Sequence, residues 1–338
     1  MRKPIIGLTM GDAAGIGPEI IIKVFQNRKV IEDVNIIVIG DKDIINEAQK
    51  TLKTRFKINV INCFKEIEFR QGEINVYYLD NLDGNDYALG KVDKKIGKAA
   101  VEYLIKATEL ALSNKIDAIT SAPLNKEAMQ LAGYKYAGQT ELLGSLTKTK
   151  KYGMLLIFGP IKMAFVTNHV SLKDVIGKIK KNQIFSKIEF LYNSILEFGY
   201  NNLPIAVAGL NPHAGENGTM GYEEIEEIGP AIVKARSKGI NVVGPLPADT
   251  LFIKAKEGNY SGVLVMYHDQ GNIAAKLLNF GSGVTYVSGL PIIRTSVAHG
   301  TAFDIAGKGI ASPDTLIESV KLAGRLAVKK IHNNFKGE

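Results

Sequence analysis

The sequence is poor in cysteine, with Cys63 alone among 338 residues. One cysteine cannot close a disulfide or supply a cysteine-ligated zinc site within a single chain, so both frameworks are excluded. Proteins of oxidising compartments often rely on disulfides, and their absence favours a reducing, cytoplasmic compartment. We therefore expect the fold to depend on its apolar core.

Long apolar runs are also missing. The apolar segment near the N-terminus, residues 5–10, is far too short for a signal peptide or a membrane span, and no other segment reaches membrane length. Hydrophobic residues make up 46% and charged residues 22%, which excludes disordered and fibrous classes. The length favours two domains, and without a Gly-, Ser- or Pro-rich linker we expect short crossings between them.

The net charge of +8 is not concentrated in any basic stripe or tail. Nucleic-acid-binding proteins usually cluster their Lys and Arg, so the sequence predicts no nucleic-acid partner. The short clusters at residues 94–95 and 178–181 are typical of solvated helix faces. A mildly basic field would still attract anionic substrates and dinucleotides.

Apolar strands alternate with amphipathic helical patterns along the chain, which predicts an α/β fold with a parallel or mixed sheet. A helix is expected to open at Pro18, and longer helices are expected over residues 97–112 and 172–198. The predicted strands are residues 5–10, 34–39, 118–119, 154–158, 163–166, 205–209 and 262–266.

The loop after the first strand contains Gly11, Gly15 and Gly17. Its spacing matches neither the Gly-x-Gly-x-x-Gly fingerprint nor a P-loop. Two interpretations stay open: a tight turn that starts a helix, or a contact between an anionic ligand and the helix N-terminus.

Histidine is scarce, with five residues, and three of them come just after predicted strands: His169, His213 and His268. Ligands of open α/β sheets bind outside the carboxyl ends of the strands, where such side chains converge. A single histidine there is more typical of a hydrogen-bonded structural residue, but three together favour a catalytic divalent metal such as Zn²⁺.

The segment from Ala298 to Gly309 resembles the adenosine-binding loop of the isocitrate and isopropylmalate dehydrogenases. The resemblance implies NAD as cofactor, with a carboxylate at Asp304 that binds the ribose hydroxyls and repels the 2′-phosphate of NADP. A glycine-rich packing turn is the alternative. The implied cofactor-binding residues are His299, Gly300, Thr301, Ala302 and Asp304.

Nearly the whole chain resembles the 4-hydroxythreonine-4-phosphate dehydrogenase family of pyridoxal phosphate (pyridoxine) biosynthesis. The matching stretches are residues 9–12, 15–19, 122–126, 211–216, 244–250, 266–271, 289–291 and 294–296. The resemblance implies an isocitrate/isopropylmalate dehydrogenase-like two-domain fold with mixed parallel sheets, not a Rossmann fold. It places a discontinuous cofactor-side domain at residues 1–130 and 291–338, and a metal-binding and dimerisation domain at residues 131–290.

The family implies NAD-dependent, metal-dependent oxidation and decarboxylation of a 4-phosphorylated 3-hydroxy acid. His169, His213 and His268 would bind a divalent metal (Zn, Mg or Co), one of them supplied by the partner subunit of a homodimer that shares its active site. Thr140, Lys276 and Arg294 would hold the substrate's anionic groups. The general base stays open among Asp249, Lys126 and a metal-bound water.

Two substrate-facing positions depart from the family pattern: Gln139 replaces a histidine and Thr285 replaces an asparagine. Both are retained as candidate substrate-binding residues. Other stretches are closer to the branch that acts on D-threonate or D-erythronate 4-phosphate in sugar-acid catabolism. The phosphorylated acid therefore stays open at this point, and a non-catalytic nucleotide-binding homologue is the alternative of a different class.

Overall fold

The computed structural model describes residues 2–61, 64, 67–82, 88–199, 202–278 and 283–336, so Cys63 lies outside the described residues. The chain forms two compact units. The first combines residues 1–152 with residues 284–338, and the second consists of residues 153–283. In the described ranges no helix is both long and apolar enough to cross a membrane.

The first unit contains a mainly parallel sheet in the order β3-β4-β2-β1-β5-β12-β11, in which only the β11–β12 pair is antiparallel. Central strands are buried on both faces and read as apolar runs, such as Ile-Ile-Val-Ile in β2. The strands are β1 (Ile5–Thr9), β2 (Asn35–Gly40), β3 (Lys57–Ile61), β4 (Glu73–Tyr78), β5 (Ala118–Ser121), β11 (Val284–Ser288) and β12 (Ile293–Val297).

Within the described ranges, seven helices belong to the first unit. The longest internal helix, α4, begins after Asp93, whose carboxylate caps the backbone N–H groups of Lys95 and Ile96. The helices are α1 (Gly17–Gln26), α2 (Arg28–Asp33), α3 (Lys42–Leu52), α4 (Lys94–Leu112), α5 (Lys126–Leu131), α6 (Gln139–Leu146) and α12 (Asp314–Lys336).

The second unit has a five-stranded sheet in the order β6-β7-β10-β8-β9, with β6 antiparallel to β7 and the other neighbours parallel. Its apolar core centres on β7, β8, β10 and helix α10. The elements are β6 (Gly153–Phe158), β7 (Ile161–Phe165), α7 (Leu172–Lys178), α8 (Lys181–Phe198), β8 (Ile205–Ala208), α9 (Gly229–Ser237), β9 (Val242–Leu246), α10 (Ala248–Lys256), β10 (Gly262–Val265) and α11 (His268–Leu278).

These sheets confirm the predicted α/β class with mixed, mainly parallel strands. The strand order of the first unit also differs from the 3-2-1-4-5-6 order of a Rossmann domain. The crossings between units lie at residues 152–153 and 283–284, not at 130–131 and 290–291 as predicted. Helices α5 and α6 pack on α4, and β11 pairs with β12, which keeps all three elements in the first unit.

The helix predicted over residues 172–198 is two helices, because the backbone is extended at Lys180. Buried Ile179 ends the first helix, and the carboxylate of Glu227 accepts a 2.6 Å hydrogen bond from the Lys181 backbone N–H. Glu227 also pairs with the Lys180 ammonium at 3.0 Å. A distant carboxylate therefore starts α8, so Lys180 is a linker residue and not part of a solvated helix face.

Candidate active-site residues

In the second unit, β7, β10, β8 and β9 run parallel, so their carboxyl ends share one edge of the sheet. His169 follows β7, His213 follows β8, and His268 opens helix α11 after β10. The rings of His169 and His268 lie 5.5 Å apart between centroids, with 43° between their planes. The structure therefore brings two of the three predicted metal ligands together at this edge.

The spacing of the His169–His268 pair fits two ligands of one ion. With Zn–N bonds of about 2.0–2.1 Å and tetrahedral angles, two bound imidazoles would place their ring centres about 5 Å apart. The Nδ1 atom of His268 lies 2.6 Å from an Asp269 carboxylate oxygen, which leaves Nε2 available to a ligand. A carboxylate on the second ring nitrogen is a common support for metal-binding histidines.

His213 does not join this pair. Within the described part of the chain, no three His, Cys, Asp or Glu side chains are grouped closely enough to hold a metal ion. His213 lies on a turn of left-handed backbone that spans residues 213–217, with φ of 52° at His213 and 55° at Ala214. Left-handed backbone costs roughly 1–2 kcal/mol for each non-glycine residue, and strain of this kind clusters at functional sites.

In the first unit, Arg294 is the predicted substrate-binding residue with the least solvent contact. Arg294 is 3% exposed, and its guanidinium donates a 2.8 Å hydrogen bond from Nη2 to Oε1 of Gln139. A weaker contact of 3.4 Å joins Nε to Oγ of Ser121. Burial lowers the pKa of Arg294 to about 10, so the guanidinium is still charged at neutral pH.

Gln139 and Thr140 are the first two residues of helix α6. Backbone N–H groups at a helix N-terminus have no intrahelical partners and favour anions. Gln139 is oriented by two hydrogen bonds, since it accepts from Arg294 and donates to the carbonyl of Ala122 at 3.4 Å. Arg294 therefore contacts the first residue of helix α6, and Thr140 is the second.

Thr285 and Lys276 have different surroundings from that group. The Thr285 hydroxyl is buried and donates to the carbonyls of Ser296 and Val297, each at 3.1 Å. Its proton is therefore committed to strand β12, and only its oxygen lone pairs stay open to a ligand. Lys276 lies exposed on helix α11 of the second unit.

The predicted cofactor segment follows strand β12 in the first unit. The carbonyl of Thr301 accepts a 3.0 Å hydrogen bond from the Ile16 backbone N–H, which joins this segment to the loop after β1. Gly300 has open space where a side chain would begin, and Asp304 is exposed. His299 Nδ1 lies 2.9 Å from the carbonyl of Gly300.

Gly15 allows this approach between the two loops, since a β-carbon there would lie 2.8 Å from the Thr301 carbonyl oxygen. Beside the joined loops is a cleft of about 210 Å³ that helix α3 also lines. The residues around the cleft include Ala13, Gly15, Pro18, Glu19, Ala48, Leu89 and Gly307.

The two candidate general bases lie in different units. Asp249 is exposed in the first turn of helix α10. Lys126 opens helix α5, and its Nζ would lie 4.0 Å from a β-carbon at Gly138, the residue before Gln139. Lys126 is therefore the candidate next to the Arg294–Gln139 group.

Asp12 is a buried acid that the sequence analysis did not select. It is 1% exposed, and burial raises its pKa to about 6. One carboxylate oxygen accepts from the Ala14 backbone N–H at 2.9 Å, while among the described residues the other oxygen has no hydrogen-bond partner. Its position in a polar loop after a strand was the available signal, but burial cannot be read from that position.

The family described as "Pyridoxal phosphate biosynthetic protein PdxA" matches this chain over residues 32–323. The chain belongs to this family. A relative from Oceanobacillus iheyensis, described as "Putative D-threonate 4-phosphate dehydrogenase", is 47% identical and covers 97% of this chain and 99% of its own. A relative of the same description from Halalkalibacterium halodurans is 43% identical, over 96% of this chain and 98% of its own.

Among solved structures, the chain is similar to 4-hydroxythreonine-4-phosphate dehydrogenase from Klebsiella pneumoniae. The two are 41% identical, the match covers 96% of this chain and 98% of that one, and the TM-score is 0.87. These comparisons confirm the predicted family and fold, and they place the chain among dehydrogenases.

Proposed function

We propose that this protein is an NAD- and divalent-metal-dependent dehydrogenase that oxidises a hydroxyl group of a 4-phosphorylated acid and then releases CO2. The observation that carries the proposal is the His169–His268 pair, with ring centroids 5.5 Å apart at the carboxyl ends of parallel strands. A pair of imidazoles at this spacing suits one divalent ion. The family and the dehydrogenase relatives support the reaction class.

His169 and His268 would hold the metal, and His213 is the third proposed ligand. A bound divalent ion would supply Lewis acidity to oxygen atoms of the substrate. The Asp269 carboxylate, 2.6 Å from His268 Nδ1, would keep the opposite ring nitrogen directed to the ligand. Because His213 lies outside the pair, we expect a second copy of the chain to complete the ligand set.

Arg294, Gln139 and Thr140 would bind an anionic group of the substrate in the first unit. The guanidinium of Arg294 is buried beside the neutral amide of Gln139, and the N-terminus of helix α6 adds further N–H donors. Lys276, exposed on α11, is a second cation for the substrate.

The segment from His299 to Asp304, with Gly300, Thr301 and Ala302, would bind the adenosine end of NAD. Its support is the open space at Gly300 and the cleft of about 210 Å³ beside the neighbouring loop. The exposed carboxylate of Asp304 would accept hydrogen bonds from ribose hydroxyls and disfavour the extra phosphate of NADP.

In the proposed reaction, C3 loses its hydrogen to NAD⁺ as hydride while its hydroxyl loses a proton to a general base, which gives a ketone and NADH. The resulting 3-keto acid then loses its carboxylate as CO2, and C2 takes up a proton. Lys126, beside Gly138, and Asp249 are the two side-chain candidates for the proton acceptor, and a metal-bound water is the third candidate. Substitution of each side chain by an isosteric neutral residue would identify the base by its effect on the pH profile.

The preferred substrate we propose is D-threonate 4-phosphate. Two relatives at 47% and 43% identity carry that activity in their descriptions. Gln139, which replaces a histidine usual in both branches of the family, bonds directly to Arg294 and so changes the polar surroundings of the anion site without favouring either branch. D-erythronate 4-phosphate and 4-phosphohydroxy-L-threonine are the alternatives.

Purified protein should form NADH with D-threonate 4-phosphate, more slowly with D-erythronate 4-phosphate, and least with 4-phosphohydroxy-L-threonine. Release of one CO2 per NADH would support the decarboxylation step. Faster turnover of 4-phosphohydroxy-L-threonine would reverse the substrate assignment, and no NAD reduction with any of the three acids would remove the proposed activity.

A further inference from the structure

The strand ends that precede the three histidines are connected by side-chain hydrogen bonds. Thr167, two residues before His169, donates from Oγ1 to the carbonyl of Met266 at 2.8 Å, and its backbone N–H reaches the same carbonyl at 3.1 Å. Met266 lies two residues before His268. These bonds fix the segment after β7 against the segment after β10.

Gln270 makes the second connection. Its Oε1 accepts from the Met266 backbone N–H at 2.7 Å, and its Nε2 donates to the Gly209 carbonyl at 2.7 Å. One amide therefore joins the end of β10 to the end of β8, where the turn with His213 begins. Both polar ends of the side chain are used, so its orientation is determined.

Glu224 makes the third connection, within the turn itself. Glu224 is 5% exposed, and its Oε1 accepts from the backbone N–H groups of Leu210 and Asn211 at 2.7 and 2.8 Å. Oε2 accepts from Asn211 Nδ2 at 2.9 Å. The same oxygen would be 2.7 Å from a β-carbon at Gly215, so the carboxylate packs directly under the left-handed turn.

We propose that Gln270 and Glu224 are positioning residues that fix the turn carrying His213 at the carboxyl ends of β8 and β10. The inference rests on the proposed metal-dependent function. The hydrogen bonds of both side chains go to the strand-end segments and not to the imidazoles. Their placement at the two ends of the segment 209–215 fixes a backbone that is locally unfavourable without them.

The effect of each side chain on metal binding depends on which segments its hydrogen bonds join. Loss of the Gln270 amide removes the side-chain bond between the ends of β8 and β10, while Thr167 continues to hold the segments of His169 and His268 together. The pair should therefore persist and the third ligand should lose its fixed position. Loss of such outer supports typically weakens metal binding by about 10- to 100-fold.

The test uses the full-length protein loaded with Co²⁺, whose visible absorption reports coordination geometry. Gln270→Met removes both hydrogen bonds at similar side-chain volume, and Gln183→Met is the matched control because Gln183 is exposed on α8. We expect Co²⁺ affinity about 10- to 100-fold lower and an altered spectrum in Gln270→Met, with both unchanged in the control. The melting temperature of the metal-free proteins shows whether each variant is folded.

Two further variants keep the inference testable if Gln270→Met does not fold. Gln270→Glu keeps the acceptor for Met266 but sets a carboxylate against the Gly209 carbonyl. Glu224→Gln sets an amide donor against Asn211 Nδ2, with the exposed Glu226→Gln as its control. Each should weaken Co²⁺ binding in the same direction.

The outcomes separate this inference from the proposed function. If the unmodified protein binds Co²⁺ and folded variants at Gln270 and Glu224 bind it equally tightly with the same spectrum, the positioning role is wrong. If the unmodified protein itself binds no divalent metal, the metal-dependent function fails and the positioning role fails with it.

Discussion

Arg294 is a residue whose replacement should change stability and catalytic efficiency in opposite directions. Its guanidinium is buried beside neutral partners, Gln139 and Ser121, and no carboxylate in the described ranges forms an ion pair with it. Burial disfavours the charged form more than the charge of Glu141 favours it, which is why its pKa falls to about 10. A cation kept in such surroundings is a costly element of the fold and suits an anionic ligand.

Arg294→Met should therefore raise the free energy of unfolding, by about 1–3 kcal/mol, and lower kcat/KM by about 10²- to 10³-fold. Chemical denaturation and initial rates of NADH formation measure the two effects. The control is Arg325→Met on the exposed face of α12, which should change neither. A destabilised Arg294→Met variant with normal kcat/KM would show that the guanidinium serves the fold instead.

Asp12 should affect how stability depends on pH. Its pKa in the folded protein is about 6, above the ordinary value of 3.8, because burial disfavours the carboxylate. Between these two values the folded state holds more protons than the unfolded state. The contribution of Asp12 to stability is thus present at acid pH, is lost as pH rises through the window from about 4 to 6, and stays lost above it.

Asp12→Asn removes this titration at similar volume. The stability of the variant relative to the unmodified protein should rise by on the order of 2–3 kcal/mol between pH 4 and pH 7. Denaturant unfolding across that range, with the exposed Asp33→Asn as control, measures the difference. A difference that is flat with pH would mean that Asp12 does not titrate in this window.

For single residues, the sequence indicated which strand ends are neighbours better than it indicated what surrounds each side chain. His169 and His268 come together because strand order alone determines which strand ends are neighbours. The contacts of Thr285 and the burial of Asp12 depend on packing between segments distant in sequence. Spacing along one strand carries no signal for such contacts.

Helix α11 connects the histidine pair to a surface that suits a second subunit. It begins at His268, and its apolar residues Ile273 and Leu277 are 58% and 79% exposed. Large apolar side chains spaced four residues apart on one exposed helix face are typical of an interface. The proposed homodimer would cover this face.

Leu277→Asp should therefore shift the protein from dimer to monomer and lower its affinity for divalent metal, because the partner's ligand would be lost. Sedimentation or light scattering gives the mass, and a metal titration gives the affinity. Leu112→Asp, at the end of α4 in the first unit, is the control and should alter neither. A Leu277→Asp protein that stays dimeric would place the subunit contact on another face.

Helix ends were less predictable than helix positions. The apolar pattern over residues 172–198 continues through the break at Lys180, because the break depends on the carboxylate of Glu227, 46 residues beyond Lys181. Hydrophobic periodicity reports which face of a segment is buried, but not a hydrogen bond from a distant residue to its first turn. The same limit applies to the left-handed turn that carries His213.

On the scale of the whole molecule, the chain leaves its first unit at residue 152 and returns at residue 284. The returning part supplies β12 with Arg294 and the segment predicted to bind NAD. The second unit supplies all three histidines and the network of Thr167, Gln270 and Glu224. Substrate, cofactor and metal functions are thus proposed for different parts of the sequence.

The family resemblance predicted the fold class, and the arrangement of strands confirms it. The observed boundaries of the units differ from the predicted ones, because short elements such as α5 and α6 carry weak sequence signals and belong to whichever core they pack against. Substrate identity depends on a few polar contacts around Gln139, which the sequence could flag as a departure but not resolve.

The proposed reaction is the metal-dependent oxidation of a phosphorylated sugar acid with NAD. The most direct test is kcat/KM for D-threonate 4-phosphate, measured on enzyme depleted of metal by a chelator and again after Zn²⁺, Co²⁺ or Mg²⁺ is restored. NADH formation should be lost on depletion and should recover with at least one of these ions. Equal rates before and after verified depletion would contradict it.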